Sequence, residues 1–238
     1  MTRSVDGAPQ LASLASLLAD GTRAAFCLAL LDGRAWTAGE LARLARVAPS
    51  TATGHLARLV AGGLLVEQRQ GRHRYVRLAG PHVAQLIEDL AAQAPPVPIP
   101  AGSLRAAATS AAMARARTCY DHLAGRLGVL VTDAMTRTGL LDQDAGFAVT
   151  SAGMAWLRTT IGPAGATALA ATRRPLARPC LDWTERRPHL AGAAGAALCR
   201  HALDRRWVER IGSQRALRVT DSGRRALREL LDLDLAAE

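Results

Sequence analysis

The sequence predicts a mainly α-helical fold with small β hairpins, an α+β class in which two domains follow one another along the chain. Apolar residues recur at helical spacing, short hairpin patterns interrupt them, and a proline-rich stretch divides the chain. We expect an N-terminal domain over residues 1–93, a linker over 94–102 and a C-terminal domain over 103–238. Hydrophobic residues make up 49% of the 238, which is ample for packed cores.

The net charge and the cysteine content indicate which partners and which cellular location suit the chain. The 30 basic residues, all arginine, exceed the 20 acidic ones and give a formal charge of +10, which favours a polyanionic partner. The 4 cysteines are too widely spaced for a disulfide scaffold, so we expect a reducing, cytoplasmic location. The apolar segment Leu11–Ala19 has no basic lead-in, and no apolar stretch has the ~18 residues that span a bilayer. We therefore expect neither a signal peptide nor a membrane partner.

A capping box marks the first helix of a candidate helix-turn-helix. In Thr37-Ala-Gly-Glu40 the threonine hydroxyl can accept from the backbone N–H of Glu40 while the glutamate reaches back, which starts a short helix through Ala45. Two helices are predicted before it, and Leu41 and Leu44 are expected to face inward.

A second helix and a basic hairpin follow. Pro49 suits a first helical turn, Gly62-Gly63 ends the helix, and residues 64–78 read as two strands around a Gln70-Gly71 turn. Such a helix can enter the DNA major groove while a basic wing contacts phosphates or the minor groove. The predicted DNA-contacting residues are Thr37, Pro49, Ser50, Thr51, Thr53, His55, Arg58, Arg69, Arg72, His73 and Arg74.

The segments Leu17-Leu18-Ala-Asp-Gly-Thr-Arg23, Thr37-x-x-Glu40-Leu41-Ala42 and Pro49-Ser50-Thr51-x-x-x-His55-Leu56-x-x-Leu59 resemble the ArsR/SmtB repressors over about residues 9–93. The resemblance implies a winged helix-turn-helix homodimer that joins through its first and last helices, here Leu11–Ala19 and Pro81–Gln93. It also implies a repressor that leaves double-stranded, pseudo-palindromic operator DNA when an effector binds. The chain departs from the family's metal sensors, because residues 41–46 hold no cysteine and His82 stands alone near the last helix.

The C-terminal domain contains an internal repeat. His122-Leu-Ala-Gly125-x-x-Gly128 recurs as His189-Leu-Ala-Gly192-x-x-Gly195, and Val149-Thr150-x-x-Gly153 recurs as Val219-Thr220-x-x-Gly223. We expect two repeated winged-helix-like units that sense an effector or dimerise. Residues 104–138 are predicted as one long helix, with a short hairpin over 140–149. Arginines around the second hairpin, including Arg215, are expected to be solvated rather than to touch DNA.

The candidate effector site lies in this repeat. Cys119 and His122 are three residues apart on one predicted helical face, and Cys180, Asp182 and His189 precede the matching position of the second unit. These residues are candidate ligands for a soft transition-metal ion. Three alternatives stay open: imidazoles hydrogen-bonded within the fold, an oxidisable Cys119–Cys180 pair, or an organic ligand near the tryptophans Trp156, Trp183 and Trp207.

The motifs in the sequence favour a DNA-binding protein over an enzyme. Phosphate-binding glycine loops, nucleophile elbows and zinc-protease helix motifs are missing from the sequence, so we expect no enzyme. The prediction is a sequence-specific, homodimeric transcriptional repressor released by a metal, an oxidant or a small molecule. The alternative is an architectural DNA-binding protein without an effector, which would bind operator and random duplexes alike.

Overall fold

The computed structural model describes residues 7–71, 73–95, 104–144, 146–211 and 215–235. The chain divides into two units, residues 1–87 and 88–238. The predicted linker over 94–102 lies almost wholly outside the described residues. The domain bounds 1–93 and 103–238 therefore stay a prediction.

The first unit is a helical bundle with a three-stranded antiparallel sheet in the strand order β1-β3-β2. Its elements, with the last helix extending across the division between the units, are α1 (Ala8–Leu18), α2 (Gly21–Leu30), β1 (Trp36–Thr37), α3 (Ala38–Ala45), α4 (Pro49–Ala61), β2 (Leu65–Gln70), β3 (His73–Leu78) and α5 (Pro81–Gln93). This is the winged helix-turn-helix that the sequence predicts.

Local chemistry determines where α3 and α4 begin and end. The Thr37 hydroxyl accepts from the Glu40 N–H, and the Glu40 carboxylate accepts from the Thr37 N–H, so the predicted capping box is present. Arg46 ends α3 with a φ of 56°, and Pro49 occupies the first turn of α4. Leu41 is fully buried, but Leu44 is 46% exposed, so the prediction that Leu44 faces inward is wrong.

Among its described residues, the second unit packs helices and four two-stranded hairpins around a large apolar core, and a smaller buried cluster lies around Cys119 and Cys180. Its elements after α5 are α6 (Leu104–Arg115), β4 (Arg117–Cys119), β5 (His122–Ala124), α7 (Gly125–Arg137), β6 (Leu141–Asp142), β7 (Ala148–Val149), α8 (Ser151–Ala171), β8 (Arg178–Leu181), β9 (Pro188–Ala191), α9 (Gly192–Asp204), β10 (Val208–Arg210), β11 (Leu217–Val219) and α10 (Asp221–Leu231). All four strand pairs are antiparallel.

The single long helix predicted over 104–138 is wrong, because a hairpin interrupts it. Strands β4 and β5 pair through a two-residue turn in which Tyr120 has a φ of 55°. Gly125 then starts α7 with a φ of 72°, and a side chain there would approach the carbonyl oxygen of Ala114 to 2.7 Å. Cys119 and His122 are therefore cross-strand partners and not neighbours on a helix.

The order hairpin, helix, hairpin, helix occurs twice in the second unit, from β4 to α8 and from β8 to α10. Thr150 and Thr220, the threonines of the repeated Val-Thr motif, cap α8 and α10 by accepting from the N–H of Gly153 and Gly223. Origin by duplication remains a prediction. Helices α7 and α9 are largely buried, so neither presents a free face like that of α4.

Among the described residues, no individual helix has the length and apolar character needed to cross a bilayer, although α1 and α2 taken together, with an 83° bend between them, meet that test by length and composition.

Candidate nucleic-acid interface and Cys/His cluster

Helix α4 separates an anchored face from an exposed one. Ala52, Leu56 and Leu59 are buried against the first unit's core. On the opposite side Ser50, Thr51, Thr53 and Arg58 are exposed, together with Pro49 at the start of the helix. These are the polar and basic residue types that meet base edges and phosphates. The predicted recognition helix is thus accessible along its first three turns.

Three of the predicted contact residues also have roles inside the unit. Thr37 forms the cap of α3, and the Thr53 hydroxyl donates to the Pro49 carbonyl at 2.9 Å. The His55 ring is partly buried, with Nδ1 3.6 Å from an Asp20 oxygen and its edge against Phe26. The geometry therefore gives His55 a packing role in addition to its predicted contact with DNA.

The wing carries exposed basic residues on both strands. Arg69 pairs across the hairpin with Arg74, and Gln70 with His73, next to a turn in which Gly71 has a φ of 58°. Arg74 forms an ion pair with Glu67. Arg72 lies outside the described residues, so its predicted contact stays a prediction. Closely spaced like charges across two strands repel one another, and a polyanion relieves that repulsion.

In the second unit, two hairpins bring a Cys/His cluster together. The strand register pairs Cys119 with His122 in β4–β5 and Cys180 with His189 in β8–β9. Their ligand atoms all lie within 4.8 Å of one another, and all four residues are at least 96% buried because none has an exposed fraction above 4%. The Sγ atoms are 3.7 Å apart and the Nε2 atoms 3.1 Å apart. Four of the five predicted ligand residues thus converge from two halves of the unit.

A carboxylate lies behind each histidine, and an arginine neutralises each carboxylate. Asp121 is 3.3 Å from Nδ1 of His122 and accepts from Arg174 at 2.7 Å. Asp182 is 3.5 Å from Nδ1 of His189 and accepts from Arg117 at 2.8 Å. Asp182, which the sequence placed among the ligands, therefore lies in the layer outside the four.

The ionisable groups of the cluster share protons. The hydrogen bond from Cys119, with the two nearby histidines, lowers the pKa of Cys180 well below that of a free thiol, and burial raises the pKa of Cys119. Burial lowers the pKa of His122, but hydrogen bonds to Asp121 and Cys180 outweigh it and raise the pKa to about 9. At neutral pH this combination gives a thiolate beside an imidazolium.

The other two cysteines behave differently. Burial is the main cause that raises the pKa of Cys27 to about 11 and that of Cys199 to about 12, so both are ordinary protonated core thiols. None of the four cysteines forms a disulfide. A stabilised thiolate therefore occurs only where a second cysteine and two histidines surround it.

The tryptophans do not converge on one ligand pocket. Trp156 and Trp207 line an apolar cavity of about 20 Å³, which is near the volume of a single water. Trp183 lies elsewhere, 4.5 Å beneath the guanidinium of Arg117. The surroundings of these three tryptophans thus give an organic ligand less support than the Cys/His cluster gives an ion.

The sequence missed the outer layer of this site. Asp121, Arg117 and Arg174 had no signal of their own, because Asp121 falls in a predicted helix and the arginines are two among 30. The two hairpins differ just before their histidines. Asp121 directly precedes His122, whereas Arg187 and Pro188 precede His189.

The chain matches known proteins in two ways. A family model described as a helix-turn-helix domain matches residues 18–69. The HTH-type transcriptional regulator YdfF of Bacillus subtilis (strain 168) is 40% identical over 228 residues, which cover 95% of this chain and 99% of the relative.

Similar solved structures cover less than half of this chain. The homodimeric winged helix-turn-helix DNA-binding domain of Mb0332 from Mycobacterium bovis, a possible ArsR-family regulator, shares 29% identity over 38% of this chain and 82% of its own, with a TM-score of 0.34. The cadmium sensor CMTR from Mycobacterium tuberculosis shares 33% identity over 40% of this chain and 99% of its own, with a TM-score of 0.31.

Proposed function

This chain belongs to the HTH-type transcriptional regulators, and on that basis we propose that it is a homodimeric repressor that leaves its operator when an effector binds the second unit. It carries a helix-turn-helix DNA-binding domain and is a regulator rather than an enzyme. Its site of action is DNA in the cytoplasm, where thiols stay reduced.

The exposed polar face of α4 carries the proposal. Ser50, Thr51 and Arg58 face solvent while Leu56 and Leu59 fix the helix from below, and the basic wing provides phosphate contacts beside it. Base readout by the helix supplies sequence specificity, and the wing arginines supply affinity that falls with salt.

Dimerisation is supported by α1. The helix is rich in apolar residues but buries none of them, and Leu11 is 68% exposed. A stripe of this kind gains free energy when a second copy covers it. We propose that α1, with α5 as the resemblance implies, forms the contact between two copies, which places two recognition helices on a pseudo-palindrome.

The effector acts at the Cys/His cluster, and a soft transition-metal ion is the effector that its donor atoms favour. Two thiols and two imidazoles in one buried place are far more specific than the single Cys-x-x-His spacing in the sequence. Binding of such an ion to one state of the second unit would shift the population of the DNA-binding state.

The test is selection of duplexes from a random pool by the full-length protein, followed by footprinting and sedimentation. We expect a pseudo-palindrome with half-sites about 10 bp, or a multiple of that, apart, bound by a dimer. A Ser50→Ala/Thr51→Ala variant should keep its random-duplex affinity and lose preference for the selected site. Equal affinity for selected and random duplexes would instead indicate the architectural alternative.

A further inference from the structure

We propose that Cys119, His122, Cys180 and His189 bind one Zn²⁺ ion in a closed tetrahedral site that joins the β4–β5 hairpin to the β8–β9 hairpin. The role of this ion as the effector rests on the proposed function, whereas its binding is a property of the second unit and is measured without DNA.

The distances between donor atoms match a tetrahedral ion. Bonds of about 2.3 Å to sulfur and about 2.0–2.1 Å to nitrogen place two sulfurs about 3.8 Å apart and two nitrogens about 3.3 Å apart at the tetrahedral angle. The Sγ atoms of Cys119 and Cys180 are 3.7 Å apart, and the Nε2 atoms of the histidines are 3.1 Å apart. Both separations are within about 0.2 Å of the tetrahedral values, and all four donor atoms lie within 4.8 Å of one another.

The two histidines are oriented as ligands. Each directs Nε2 toward the shared centre while its Nδ1 faces a carboxylate, Asp121 for His122 and Asp182 for His189. With each Nδ1 facing a carboxylate, the two Nε2 atoms face each other 3.1 Å apart, so a shared proton or a cation has to lie between them. A metal cation takes the place of that proton, and a carboxylate behind a ligating histidine is the usual outer layer of a zinc site.

Charge balance permits the burial. Two thiolates neutralise the divalent ion, and each outer carboxylate is neutralised by its arginine, Arg174 or Arg117. Metal binding releases two protons to solvent, the thiol proton of Cys119 and the proton that Cys180 and His122 share, so that both sulfurs are thiolates and both rings are neutral. The occupied site and its outer layer carry no net charge, which avoids the large cost of an unpaired buried charge.

The donor set selects the metal. Thiolates favour Zn²⁺, Cu⁺ and iron–sulfur clusters, and imidazole favours Zn²⁺, copper, iron and nickel, while a tetrahedral set of two sulfurs and two nitrogens is typical of Zn²⁺. With four protein ligands and almost complete burial, the site has no position open for a substrate. The ion therefore holds the hairpins together and does not act as a catalyst.

The experiment titrates the full-length, metal-free protein with Co²⁺ and then with Zn²⁺. We expect one Co²⁺ per chain with the intense visible absorption of tetrahedral coordination and a sulfur-to-metal charge-transfer band, both abolished by one equivalent of Zn²⁺. Cys119→Ser and Cys180→Ser should each weaken binding at least tenfold, and Cys199→Ser, a buried cysteine outside the cluster, should leave it unchanged.

A His122→Cys variant keeps four ligands and should keep a tetrahedral spectrum with a stronger charge-transfer band, which separates loss of a ligand from loss of the fold. Absent or octahedral Co²⁺ spectra for the wild type, or a disulfide between Cys119 and Cys180 in place of metal uptake under reducing conditions, would overturn the zinc site. Zinc binding without operator selectivity would overturn only the proposed function. Operator selectivity without zinc binding would overturn only this site.

Discussion

The Nε2 atoms of His122 and His189 lie 3.1 Å apart although 67 positions separate the two residues. Each histidine comes from the second strand of a hairpin and precedes the same Leu-Ala-Gly sequence. The repeated motif therefore brings two side chains to one point of the second unit.

The second glycine of each motif makes this approach possible. A side chain at Gly128 would lie 2.4 Å from the Leu123 carbonyl oxygen, and one at Gly195 would lie 2.3 Å from that of Leu190. Each glycine also lies beside the histidine of the other hairpin. We predict that Gly128→Ala or Gly195→Ala lowers the free energy of unfolding by about 1–3 kcal/mol, as overpacking does.

Urea denaturation followed by circular dichroism measures the free energy of unfolding of these glycine variants. Gly54→Ala is the matched control, because nothing lies within 4 Å of a side chain at that helical position, and it should raise stability by up to about 1 kcal/mol. Unchanged stability in both Gly128→Ala and Gly195→Ala would contradict the close approach.

Glu88 and Arg215 form a buried ion pair in the second unit, with Nη1 and Oε1 2.5 Å apart. Glu88→Ala leaves a buried guanidinium without its partner, so we expect a loss of about 3–5 kcal/mol of unfolding free energy. The double variant Glu88→Leu/Arg215→Met should recover most of that loss. If the double variant is as unstable as the sum of both single changes, the pair does not act as a unit.

The capping box gives a pH-dependent prediction. Hydrogen bonds from the Thr37 N–H and hydroxyl lower the pKa of Glu40 below its ordinary 4.5 in the folded protein. The stabilisation is therefore present above pH 4.5 and is lost as pH falls through the folded pKa. We predict that Thr37→Ala costs about 1 kcal/mol at pH 7.

Chemical denaturation at pH 7 and at successively lower pH tests this capping interaction. The stability difference between the wild type and Glu40→Gln should shrink as pH falls below 4.5, the ordinary glutamate value. A stability difference that grows as the pH falls would contradict this prediction.

Wing and recognition helix should contribute differently to DNA affinity. If Arg69 contacts a phosphate as proposed, Arg69→Ala should weaken binding to selected and random duplexes equally and reduce the slope of log affinity against log salt by about 1. Thr51→Ala should act mainly on the selected duplex. Arg158→Ala removes an exposed arginine from the second unit and serves as the charge-matched control. Fluorescence anisotropy over a salt series measures all three, and identical losses for Thr51→Ala on both duplexes would refute base readout by α4.

Local signals in the sequence predicted the first unit well. The capping box, Pro49 and the Gly62-Gly63 stop act within a few residues, so the sequence determines the helix bounds directly. The prediction that Leu44 faces inward was wrong, because helical periodicity identifies an apolar position but not what covers it.

The second unit was harder for reasons of tertiary structure. The alanine-rich run around Arg117 favours helix by intrinsic propensity, but cross-strand pairing and the backbone of Gly125 override that propensity. Arg215, expected in solvent, is buried because Glu88 from a distant helix neutralises it. The Cys/His residues were recognised from spacing, whereas their convergence depends on two hairpins that no local pattern joins.

The most direct test of effector release measures affinity for a selected operator duplex by fluorescence anisotropy, with the full-length protein first metal-free and then loaded with one equivalent of Zn²⁺. We predict that zinc weakens operator binding at least tenfold for the wild type, within the usual range of coupling between two sites, and changes nothing for Cys180→Ser. Equal operator affinity of the two states, with zinc demonstrably bound to the wild type, would contradict release by zinc.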